Sequence, residues 1–140
     1  MKAKSASKKT ELKRTSTRIV KNKDVNTALI AAQAAEDKKG KNLLLLDVSK
    51  LTVISDYFLI ISAESNIQVQ AIANFIEATL SEKGMKPIAR EGFTHGSWIV
   101  IDYGDVVVHI MHEKEREYYK LERFWSNATT VDKKLWKKAS

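Results

Sequence analysis

The chain has 140 residues, 44% of them hydrophobic, the size of one ordinary domain around one core. It has no cysteine, which excludes a disulfide framework and a thiolate zinc site and suits a reducing compartment. The formal net charge of +7 sits at the ends: residues 1–23 hold nine Lys/Arg against Glu11 alone, residues 132–140 hold four lysines against Asp132, and residues 24–131 are left at −4.

That distribution predicts three parts: a disordered basic tail over 1–23, a folded domain over 24–128, and a lysine-rich C-terminal tail over 129–140. Like-charge runs of this kind either solubilise a protein or touch phosphate backbones through counterion release. The acidic core instead suits a basic protein surface, because complementary potentials steer encounter. The longest apolar runs, Leu43 to Leu46 and "YFLIIS" from Tyr57, are far shorter than the roughly 20 residues that span a bilayer. The basic start lacks the apolar block of a secretory signal, which predicts a cytoplasmic protein. A Ser/Thr-rich basic start also suits a transit peptide, so an organelle is the alternative.

In chain order, Asp24 is set as an N-cap, and Val25, Ala28, Leu29, Ala32 and Ala35 recur at helical spacing up to Gly40. "NLLLLDV" from Asn42 reads as a buried strand followed by a turn through Ser49 to Thr52, and Asp56 to Glu64 as a second strand. Ser65 and Gln68 have capping-box spacing and open a helix whose face is Val69, Ile72, Ile76 and Leu80, closed by Gly84 with Pro87 behind it. "KPIARE" suggests an edge strand, since Pro87 cannot donate to a ladder.

Apolar runs from Ser97 to Asp102 and from Val106 to Met111 flank "DYGD" and predict a hairpin. In the second of these strands Val106, Val108, Ile110 and His112 point one way, and Asp105, Val107, His109 and Met111 the other. From Glu113, the helical spacing of Tyr118, Leu121 and Trp125 predicts a last helix with those three in the core and Phe124 beside them. The segment after Asn127 reads as loose. The order lacks the strict alternation of a doubly wound sheet. It predicts an α/β (α+β) single domain, a mixed β-sheet flanked by helices.

Chemistry-bearing residues are sparse. Asp102 and Asp105 are carboxylates of the type that hold a divalent cation in phosphoryl transfer, but aspartate is ordinary turn chemistry and no phosphate-cradling loop accompanies them. His109 and His112 face opposite sides of a strand, and His95 has no ligand companion at a zinc spacing. His109 reads as a half-buried polar residue bonding a neighbour, with Asp105 the candidate. No serine sits in a nucleophile elbow. Trp98, Tyr118, Tyr119, Phe124 and Trp125 gather near Arg116 and Arg123, residue types that dominate binding hot spots. Trp98 opens a strand behind "GFTHGS", where a ring can stand proud of the sheet or turn into the core.

Taken together, Asp56-Tyr57-Phe58, Ser65-Asn66 with Gln68-Val69, Glu91-Gly92, Trp98, Asp102-Tyr103-Gly104-Asp105-Val106, Val108-His109, Glu113, Arg116, Tyr118-Tyr119, Leu121-Glu122 and Trp125 closely resemble the ribosomal silencing factors, also called the Iojap family. The resemblance runs from about Asn42 to Asn127. It implies a nucleotidyltransferase-like fold without nucleotidyltransferase chemistry, and no cofactor. The implied activity is binding to the large ribosomal subunit through ribosomal protein fourteen, which blocks the small subunit and represses translation. It also implies a partner-binding set of Trp98, Ile99, Asp102, Asp105, His109, Arg116, Tyr119 and Glu122, with no catalytic or metal residue. Ribosomal RNA contact by the basic tails and pairing into a homodimer stand beside it as further partners. The alternatives are a metal-dependent nucleotidyltransferase or nuclease using Asp102 and Asp105, and an RNA-binding module driven by the tails.

Overall fold

The structure is a computed structural model and describes residues 26–137. The predicted basic tail over 1–23 and the Asp24 cap lie outside the described residues. A first helix, α1 (26–37), leads to β1 (Lys41–Asp47), β2 (Tyr57–Ala63), α2 (Asn66–Glu82), β3 (Ala89–Glu91), β4 (Trp98–Asp102) and β5 (Val106–His112). Two short helices follow, α3 (Glu113–Tyr119) and α4 (Leu121–Phe124), then β6 (Thr129–Thr130) and α5 (Lys134–Lys137).

The six strands form one sheet in the order β3-β4-β5-β2-β1-β6. Every neighbouring pair is antiparallel except β2 with β5, which run parallel from Tyr57 beside Val106 to Ala63 beside His112. This is the mixed sheet flanked by helices that the pattern of elements predicts. A parallel pair needs a long crossover, here carried by α2 and the β3–β4 arm. All seven residues of β2 are buried, because this central strand is covered on both faces, which is why "YFLIISA" is continuously apolar.

The alternation expected along β5 holds. Val106, Val108 and Ile110 join the core under α1 and α2, with Ala28, Ala32, Leu59, Ile72 and Ile76. Val107 and Met111 join a second cluster on the opposite face, with Phe58, Ile60, Leu121 and Trp125. α2 starts as its cap predicts, with Ser65 Oγ accepting from the Gln68 amide at 3.1 Å. The reciprocal bond lands one residue early: Gln68 Oε1 accepts from the Glu64 amide at 2.9 Å. At the other end the Gly84 and Met85 amides donate to Ser81 and Leu80 at 2.9 Å each, the Schellman pair that a glycine with φ 83° permits. α1 ends differently from expectation. Its left-handed residue is Lys39, φ 63°, and Gly40 is there for space, since a Cβ would sit 2.7 Å from Ile61 Cγ2.

Two expectations for the C-terminal third are corrected. There is no single last helix: Lys120 adopts φ 45°, ψ 54° and breaks it into α3 and α4. Leu121 and Trp125 do pack into the second core cluster, but the break turns Tyr118 out to 78% exposure, so it is not a core residue. Nor is the chain loose after Asn127. β6 pairs with β1, the Val131 amide donates to Leu45 O at 2.8 Å, and Trp136 is only 2% exposed within the main core. The lysine density of 133–138 masks one large apolar anchor.

Candidate functional site: an aromatic face beside the hairpin

Trp98 opens β4 opposite Met111 of β5, and its backbone is placed by the loop before it. Gly92 has φ 89°, and a Cβ there would lie 2.1 Å from Trp98 O, so only glycine permits this approach. Gln70 Nε2 donates to Phe93 O at 2.8 Å and Asn66 Nδ2 to His95 O at 3.2 Å, tying the loop to α2.

From Trp98 a chain of ring contacts runs in both directions. Outward, its centroid lies 5.0 Å from Tyr119, which meets Tyr118 edge-on at 4.9 Å. Inward, it lies 6.0 Å from His109, which meets Phe58 at 5.7 Å, and Phe58 meets Trp125 at 4.9 Å. The series therefore passes from Tyr118, 78% exposed, to Phe58, 8% exposed. Aromatic pairs at these separations add to the area they bury.

His109 bonds Trp98 and not the expected Asp105: its Nδ1 accepts from Trp98 Nε1 at 3.1 Å. An indole nitrogen can only donate, so Nδ1 carries no proton and the imidazole is the Nε2–H tautomer. Burial lowers its pKa from 6.5 to about 4, which keeps the ring neutral. His112, on the other face, caps α3 by accepting from the Lys114 amide at 3.0 Å.

The remaining candidates divide by what they touch. Arg116, whose side chain is 12% exposed, donates to Asn42 O at 2.6 Å and Ser62 Oγ at 2.9 Å, and pairs with Glu122 Oε2 at 3.2 Å. It bolts α3 to β1 and β2 and holds the elbow at Lys120 from which Tyr119 projects. Asp102 Oδ1 accepts from the Gly104 amide at 2.7 Å, the turn role of an aspartate, while the carbonyl of exposed Asp105 receives the Asp56 and Tyr57 amides at 3.1 and 3.0 Å. Ile99 is corrected. It is fully buried, because strand alternation sends Ile99 and Ile101 toward α2 and leaves Trp98 and Val100 on the aromatic face. Among the described residues no group of three or more His, Asp or Glu is placed to hold a metal ion.

Sequence reasoning placed Trp98 and Tyr119 near one another in function but missed that they touch, and it missed the Arg116 brace. A lone arginine amid helix charges carries no local sign that its partners are a carbonyl and a hydroxyl more than fifty residues away.

The family model described as "Ribosomal silencing factor during starvation" matches residues 21–140. The ribosomal silencing factor RsfS of Bacillus subtilis is 44% identical over 103 residues, covering 74% of this chain and 87% of that one. The chloroplastic protein Iojap of Zea mays is 35% identical over 105 residues, covering 75% of this chain and 46% of that one. A crystal structure of a Chromobacterium violaceum protein superposes with a TM-score of 0.70 at 40% identity, covering 71% of this chain and 83% of that one. With a matched span that takes in every described element and relatives this similar in both sequence and fold, the chain belongs to the ribosomal silencing factor family, ribosome-associated regulators of translation.

Proposed function

We propose that the chain binds the large ribosomal subunit through ribosomal protein fourteen, with the Trp98–Tyr119 face as the contact, and represses translation by keeping the small subunit from joining. The observation that carries this reading is the Trp98–Tyr119 ring contact itself: a half-buried tryptophan held by a hydrogen bond, continued outward by two exposed tyrosines. Rigid aromatic side chains with a polar handle are the residues that dominate protein interfaces. Residues 24–131 carry −4, which complements a basic ribosomal protein.

In this reading Trp98 and Tyr119 touch the partner, Asp102 and Asp105 extend the contact at the turn end of the hairpin, the length of β4 away, and His109, Arg116 and Glu122 hold the face in shape. Steric exclusion needs no catalytic group, and Asp102 already spends a carboxylate oxygen on its own turn. The site of action is the cytoplasm, or an organelle with its own ribosomes. A sucrose-gradient profile of ribosomes with and without the protein tests the proposal. Co-migration with the large subunit and fewer joined particles are expected. Co-migration with the small subunit, or joining unchanged at saturation, overturns it, and a protein that pairs with itself through this face in place of the subunit does the same.

A further inference from the structure

We propose that Lys133, Lys134 and Lys137 form a fixed basic corner that binds the phosphate backbone of RNA, separate from the aromatic face. All three lysines are exposed, yet they are not on a loose tail. They surround Trp136, which is 2% exposed in the main core, and the segment enters along β1 through β6 and the Val131–Leu45 bond. The chain has therefore already borne the cost of ordering this backbone when it folds. Lys134 and Lys137 stand three apart on one helical turn, where side chains are neighbours.

The charges are also unspent. Among the described residues, none of the three lysines is in an ion pair, and the nearby carboxylate, Asp132, accepts from the Lys134 amide at 2.9 Å as a local cap. The corner sits on a domain that is otherwise −4 over 24–131, so within residues 24–137 a bound polyanion is drawn to this spot, the basic run over 1–23 being the other attractive segment of the chain. Lysine is a point charge that suits phosphate without demanding a fixed geometry, and a factor acting on ribosomes meets RNA phosphate as the abundant polyanion. The inference goes beyond the aromatic contact and does not depend on which ribosomal protein that face grips.

The test is binding of the full chain to a fluorescent 20-nucleotide RNA hairpin by anisotropy, between about 50 and 200 mM salt. The variant Lys133→Gln, Lys134→Gln, Lys137→Gln is expected to lose about a hundredfold in affinity at the lowest salt and only about sixfold at the highest, its salt slope falling by about 2, as for three lost phosphate contacts. The variant Lys50→Gln, Lys83→Gln, Lys86→Gln removes the same charge from exposed positions elsewhere and should lose less than about threefold. Arginine at 133, 134 and 137 should retain affinity, which guards against a folding defect in the glutamine variant. Equal losses in the two glutamine variants, or no loss at 133, 134 and 137, overturn the proposal. So does binding of phosphatidylserine vesicles that depends on these lysines while RNA binding does not. Failure of the protein to co-migrate with the large subunit would leave these RNA results standing, so the two proposals fail separately.

Discussion

The indole N–H of Trp98 donates to Nδ1 of His109 across the β4–β5 pair at 3.1 Å, joining the most exposed stretch of the aromatic series to its buried end. Truncating Trp98 therefore does two things at once. Trp98→Ala should weaken large-subunit binding by about 2 kcal/mol, the scale of a hot-spot truncation. It should also lower stability by about 1 to 3 kcal/mol, because His109 is left with an unmet acceptor in a sheltered place. Trp98→Phe should show the second effect and much less of the first. Titrating both variants onto large subunits and melting them in urea separates the terms, and a Trp98→Ala protein that binds normally removes Trp98 from the contact.

Acid should find the same bond. His109 is neutral when folded, with a pKa of about 4 against 6.5 when exposed, and burial is the cause. The unfolded chain thus binds the proton first. Stability contributed by the neutral ring is complete above about pH 6.5, is lost as pH falls from there to about 4, and changes no further below. The loss over that window is about 3 kcal/mol. Urea midpoints of the wild type and His109→Gln at pH 7 and pH 4.5 should differ in their acid sensitivity by most of this amount. Equal pH slopes would show that the ring is charged inside the fold.

Lys120 sits in the left-handed region at φ 45°, ψ 54°, a conformation that costs a side-chain-bearing residue about 1 kcal/mol. Lys120→Gly should raise stability by about 0.5 to 1 kcal/mol. The ion pair it gives up, 3.5 Å from exposed Glu117, is worth very little. A destabilised Lys120→Gly protein would mean that the lysine stem supports the elbow by packing.

Trp136→Ala should cost about 3 to 5 kcal/mol, as expected for a large side chain removed from a core. Ending the chain at residue 128 should cost at least as much, because it also removes β6. A truncated protein that melts like the full chain would place Trp136 outside the folding unit.

How far the sequence could be read depended on how local each signal was. Ser65 and Gln68 announce a helix start, and the capping bond is where their spacing puts it. Period-two alternation assigned the two faces of β5 correctly because strand geometry needs nothing from elsewhere. The elbow at Lys120 was invisible: Tyr118, Leu121 and Trp125 fit a helix, and what overrides that fit is Arg116 reaching Asn42 and Ser62 on strands far back in the chain. Trp136 was missed because its charged neighbours dominate a window average. His109 was assigned a partner two residues along its own strand, whereas the actual one lies on the next strand.

The parallel seam between β2 and β5 has a consequence for how the protein acquires its shape. β1 with β2 and β4 with β5 are antiparallel neighbours close in sequence, and each pair closes a short loop. Joining them at Tyr57 beside Val106 closes a loop of nearly fifty residues, and the entropy of that closure must be met before the seam returns any contacts. The rate-limiting event should be the docking of two preformed hairpins across α2. Conservative changes at Leu59 or Val108 should then slow folding, while changes at β6, added at the sheet's far edge, should mainly speed unfolding.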